Sequence, residues 1–208
     1  MSFETWLAFA AVSATLVVIP GPTVLLVVSY ALGQGWRAAL PMAVGVALGD
    51  FTAMTLSMLG LGVVLQGSAM LFLTLKWVGA AYLIWLGVKL WRAGATLRAE
   101  PKSAATSGLR MGAHAWIVTA LNPKGLTFFV AFLPQFVDPQ APFLPQMAVF
   151  AATFLTLATL NVLTYAVLAS RARSLVKDPR VIGAVNKVGG SFLIGAGVAA
   201  VAMRGARG

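Results

Sequence analysis

Six stretches of this 208-residue chain are each long and apolar enough to cross a lipid bilayer. No other feature constrains the fold as strongly. A spanning helix needs about 20 mostly apolar residues. The runs extend from Phe3 to Leu32, Ala39 to Leu61, Leu71 to Trp91, Ala113 to Phe136, Leu144 to Ala169 and Gly183 to Met203. Lipid offers no hydrogen bonds, so each run must satisfy its own backbone, as a helix does. Charged residues make up 10% of the chain, against roughly 25% in a soluble domain. The expected fold is an all-α membrane protein with six transmembrane helices, forming a single polytopic domain over residues 1–208.

The formal net charge of +10 suits a membrane protein with basic cytoplasmic loops better than a nucleic-acid binder, because no basic domain lies outside the spans. With six spans, loops 1–2, 3–4 and 5–6 share one side. That side carries 11 of the 15 Lys and Arg residues, from Arg37 to Lys187, and the other carries Lys76, Arg204 and Arg207. The positive-inside rule then places both termini outside the cytoplasm. The N-terminus carries Glu4 and no basic segment, so it reads as a retained first helix. The chain has no cysteine, which excludes disulfides, thiolate chemistry and cysteine-ligated metals. No cofactor is expected. The expected partners are the bilayer and a small solute, with a homodimer left open.

The chain also repeats itself. Val78-Gly79-Ala80-Ala81-Tyr82-Leu83-Ile84-Trp85-Leu86-Gly87-Val88 in span 3 aligns with Val188-Gly189-Gly190-Ser191-Phe192-Leu193-Ile194-Gly195-Ala196-Gly197-Val198 in span 6. Spans 1 and 4, the first of each half, both contain proline breaks. The halves are residues 1–95 and 111–208, joined by a cytoplasmic linker over about 92–110. Each half has three spans, so the second inserts upside down relative to the first. Two inverted three-helix repeats, with helices 1 and 4 broken at proline motifs, are the expected arrangement. That pattern marks secondary transporters.

Pro20-Gly21-Pro22 and Asn122-Pro123-Lys124 are those breaks. Proline removes an N–H and clashes with the preceding turn, so carbonyls are freed that need partners or a water-lined cavity. Lys124 lies about 11 residues into span 4, or roughly 16 Å deep in a core about 30 Å thick. Asp50 reaches about the same depth in span 2, and Pro20 lies about 18 Å from the cytoplasmic end of span 1. A lone charge at that depth costs about 2.5–3.5 kcal/mol. One acid and one base at one level compensate each other and mark a transport path. They offer complementary groups to a zwitterion, Lys124 for a carboxylate and Asp50 for an ammonium or a coupling proton. The bland alternative is a structural Asp50–Lys124 pair. Gly45 and Gly49 form a GxxxG pair suited to close helix packing. Asn161, Thr156, Thr159 and Thr164 either line a path or bond within their own helix.

These motifs carry a resemblance. IPGPTVLLV in span 1, GQGWRAALPMAVGVALGD from Gly33 to Asp50 and LNPKGLTFFVAFLPQF from Leu121 to Phe136 occur here in order and spacing similar to the LysE/RhtB family of bacterial amino-acid exporters. The resemblance covers nearly the whole chain. It implies a bacterial inner-membrane exporter of amino acids or their derivatives, driven by proton exchange. The motif positions carry over as Pro20, Gly21, Pro22, Gly49, Asp50, Asn122, Pro123 and Lys124.

Other readings are an exporter or channel for another small solute or cation and, more remotely, an intramembrane enzyme. Gly49-Asp50 is part of a GxGD-like pattern, but position 47 is Ala47 and no second aspartate lies within a span. The single histidine excludes a two-histidine zinc site.

Overall fold

The computed structural model describes residues 1–67 and 106–171 continuously, with isolated positions between 74 and 92 and between 178 and 198. Spans 3 and 6, with the repeated valine–glycine stretches, therefore lie mostly outside the described residues. Every described element is helical.

Helix α1 (Phe3–Val18) starts at Ser2, whose hydroxyl accepts from the Thr5 N–H at 3.2 Å. It stops at the Pro-Gly-Pro triplet, and α2 (Pro22–Gln34) begins with Pro22 in its first turn. Gly35 then turns the chain with φ of 70°, a conformation only glycine adopts without strain. A 3₁₀ turn over Gly35–Ala38 leads into α3 (Ala39–Gly67). Helix α4 (Gly108–Ala120) is capped by Ser107, so it begins five residues before the apolar run does. Hydropathy marks where a helix meets lipid, whereas a cap marks where it starts. After Asn122 comes the short α5 (Pro123–Thr127), then a π turn over Phe128–Phe132 and a 3₁₀ turn over Leu133–Gln135. Helix α6 (Phe143–Arg171) completes the described bundle.

Pro22–Gly60 and Phe143–Arg171 are long and apolar enough to cross a membrane, and α4 with Pro123–Gln135 qualifies as a pair bent by 42°. The outward face of α3 is a stripe of Leu40, Val44, Leu48, Phe51 and Leu59, each more than half exposed. Its inward face holds Met42, Val46, Asp50, Ala53 and Ser57. Apolar outside with polar groups within is the arrangement lipid imposes.

Contacts between helices give their running senses. Along α3 and α4 the neighbours advance together: Pro41 beside Gly108, Gly45 beside Gly112 and Ala115, Gly49 beside Trp116 and Thr119. These helices are parallel. Along α2 and α4 they advance oppositely, from Thr23 with Thr119 to Tyr30 with His114. Helix α2 thus runs against both, and Pro22–Gly60 is a hairpin folded at Gly35. Helix α1 runs with α6, from Trp6 on Thr153 to the Val17 carbonyl on Asn161. Span 1 therefore runs opposite to span 4.

The core divides in two. One cluster joins Phe9, Leu16 and Ile19 to Met54, Phe128, Phe129, Phe150 and Ala158. The other joins Val24 and Val27 to Val46, Ala115, Val162 and Ala166. Between them, at one level, lie Pro20 to Thr23, Gly49, Asp50, Thr119 to Lys124 and Asn161.

Candidate translocation site

The site begins with a deficit of donors. In a continuous helix the carbonyl of residue i accepts from the N–H of residue i+4. For Leu16 and Val18 those partners are Pro20 and Pro22, which have no N–H. The extended Gly21 backbone, with φ of −139° and ψ of −170°, breaks the helix between them. Four carbonyls, Leu16 to Ile19, are left at the end of α1.

Three side chains take up all four. The Lys124 Nζ donates to the Leu16 carbonyl at 2.9 Å and the Ile19 carbonyl at 2.8 Å. The Asn161 Nδ2 donates to the Val17 carbonyl at 2.9 Å. The Tyr165 hydroxyl donates to the Val18 carbonyl at 2.8 Å. The C-terminal end of a helix carries partial negative charge, so an ammonium there is favourably placed.

The second break uses the same local grammar as the first. Asn122 caps α5, its side-chain oxygen accepting from the Lys124 N–H at 3.0 Å, and Pro123 fills the first turn, where its missing N–H costs nothing. The same asparagine donates through Nδ2 to the Thr23 hydroxyl at 3.1 Å, and Thr23 and Thr119 share a hydrogen bond of 3.2 Å. The two breaks thus face each other and are bonded together. Gly21 turns toward the lysine: a Cβ placed there would sit 3.5 Å from Lys124 Nζ.

Asp50 lies on the inward face of α3 and is only 7% exposed. It and Lys124 each feel the other's charge. The lysine's direct partners are carbonyls, and no ion pair joins the two among the described residues. Gly49 is closed off by α4, where a Cβ would meet the Trp116 carbonyl and come within 2.6 Å of the Thr119 Cβ. The glycine pair serves helix contact, with Gly45 against the Gly112 carbonyl. No group of three or more metal-ligating side chains occurs among the described residues.

The structure therefore brings together Pro20, Gly21, Pro22, Asn122, Pro123 and Lys124, with Gly49 and Asp50 at the same level on α3. It adds Tyr165, Thr23 and Thr119, and it gives Asn161 a specific partner. Asn161 and Tyr165 stand four residues apart, on one face of α6. Counting the carbonyls that the triplet must free would have pointed to such a pair. Thr164 bonds within its own helix, to the Leu160 carbonyl.

Comparison with known proteins identifies relatives along nearly the whole chain. A profile of the LysE-type translocators matches residues 14–204. A membrane protein of Vibrio cholerae is 32% identical over 95% of this chain and 97% of its own length. A homoserine/homoserine lactone efflux protein of Salmonella typhimurium is 34% identical over 94% of this chain and 96% of its own. A leucine efflux protein of Salmonella choleraesuis is 31% identical over 74% and 73%. No solved structure matches. With the family profile spanning nearly its whole length, the chain belongs to the LysE-type translocator family and is a membrane transporter, not an enzyme.

Proposed function

We propose that this transporter exports amino acids or close derivatives across the bacterial inner membrane in exchange for protons. The observation that carries this is Lys124, a cation of the second half of the chain held in the helix break of the first. A charge buried at mid-bundle is costly, and such charges mark solute pathways. Export of amino-acid derivatives by relatives with near full-length similarity supports the substrate class.

Lys124 takes the substrate carboxylate. Asp50, buried one helix away, carries the coupling proton. Asn122, Pro123, Pro20, Gly21 and Pro22 hold the two breaks open, and Gly49 brings α3 against α4 beside them. The six spans form two inverted repeats with both termini on the non-cytoplasmic side, which the opposed senses of spans 1 and 4 favour.

The test is excretion. Cells expressing the protein are loaded with dipeptides of single amino acids, and the medium is analysed. The expectation is faster excretion of at least one amino acid or derivative, abolished by an uncoupler and by Asp50→Asn. Unchanged excretion across all amino acids in cells with the protein in their membranes would refute the reading.

A further inference from the structure

The ammonium of Lys124 sits in a seat built entirely of backbone. The carbonyls of Leu16 and Ile19 receive it at 2.9 and 2.8 Å, at the negative end of α1. No side chain of the seat carries charge: it offers carbonyl oxygens alone, which accept from the N–H groups of an ammonium whichever molecule supplies them. A lysine side chain ends in a primary ammonium, and so does every free amino acid. From this geometry we infer that the Leu16 and Ile19 carbonyls are the binding site for the substrate's primary ammonium group, and that Lys124 is a tethered stand-in that holds the site when no substrate is bound.

The exchange balances electrically. When a zwitterion enters, its ammonium replaces that of Lys124 on the two carbonyls. The displaced Lys124, still beside Gly21, pairs with the adjacent carboxylate. The seat keeps one positive charge throughout, and the zwitterion adds none, so no uncompensated charge is created in lipid. A second feature serves the carboxylate. Helix α2 starts at Gly21 with no side-chain cap, and this helix start, whose N-terminal end carries partial positive charge, lies beside Lys124. A lysine that only held the break together would not need to release its carbonyls, whereas a stand-in must.

The inference rests on the amino-acid reading above, and two measurements separate their fates. The first needs no transport. Purified Lys124→Ala leaves the seat empty, and its melting temperature is followed against ethylammonium, tetramethylammonium and sodium chlorides at equal ionic strength. Ethylammonium is expected to stabilise the variant saturably and to leave the parent unmoved. Tetramethylammonium, which has no N–H, and sodium are expected to do nothing specific. Equal responses to all three salts, or a preference for sodium, would overturn the inference. Lys124→Met, similar in length and without a side-chain N–H, replaces the alanine variant if the latter does not fold.

The second measurement uses the parent protein in vesicles, with leucine, its methyl ester and its 2-hydroxy acid analogue as competitors of an exported amino acid. The ester keeps the ammonium and the hydroxy acid loses it. The hydroxy acid should compete about tenfold to a hundredfold less well than leucine, the loss expected for a charge-assisted hydrogen bond, while the ester still competes. Equal competition by the hydroxy acid rejects the seat. Rescue by ethylammonium with no amino acid transported would keep the seat and reject the exporter reading.

Discussion

Val18 is followed four positions later by Pro22, so its carbonyl can never receive the usual helical hydrogen bond. The hydroxyl of Tyr165 supplies it instead. Hydrogen bonds between helices in membranes contribute about 0.6 kcal/mol on average and up to about 1.7. Tyr165→Phe removes this one and leaves the ring in place. The expected result is a loss of stability in that range, read as a lower melting temperature in detergent. An unchanged melting temperature would mean that the Val18 carbonyl finds another donor. Residues differed in how openly they announced themselves. Asp50 and Lys124 stood out because a charge inside an apolar run is costly at that depth, whether it serves a path or a structural pair. Asn161 was ambiguous, since an asparagine in a span has several uses, and nothing in the sequence marked Tyr165. What assigned them was the partner, and a partner on another helix is not written locally.

At the scale of elements, both breaks share one construction: an extended residue, Gly21 or Asn122, followed by proline in the first turn of a new helix. The sequence showed that spans 1 and 4 are interrupted, and the structure adds that the stumps are bonded to each other. Replacing Pro20 and Pro22 together by alanine restores two N–H groups. They would compete with Lys124 and Tyr165 for the carbonyls of Leu16 and Val18, and α1 could run on into α2. The expected variant is more stable by on the order of 1 kcal/mol and exports more slowly. Thermal unfolding and the excretion assay check the two halves of that statement. Parental export from such a variant would mean that the break is dispensable. The π turn at Phe128–Phe132 was not legible. It brings the consecutive residues Phe128 and Phe129 both against Phe154, with ring centroids 5.7 and 4.8 Å away. Only packing, not local propensity, favours such a turn.

At the scale of the molecule, the apolar runs and the distribution of positive charge predict a topology that can be measured directly. The chain has no cysteine, so a single introduced thiol reports one position without background. Cysteine in place of Ser2 should react with a membrane-impermeant maleimide in intact cells. Cysteine in place of Ser107 should react only after permeabilisation. The reverse pattern would invert the assignment of sides. That the described helices include stretches long and apolar enough to cross a membrane was readable from hydropathy. The neighbours were not, because a helix apolar on all sides gives no hint of which face meets protein. The close pairing of α3 with α4 became evident only through Gly45 and Gly49, where the helices nearly touch.

The parallel course of α3 and α4 has a consequence for how the protein is made. Helices that run in the same direction cannot be joined by a short turn, and here residues 68–107 separate the two in sequence. Asp50 thus enters the bilayer well before Lys124 leaves the ribosome. At about 5–20 residues per second, the roughly 70 intervening residues take several seconds to synthesise. During that interval the nascent chain holds an acid with no base to balance it. A truncated product ending before span 4 would keep that imbalance, with Asp50 buried and Lys124 absent.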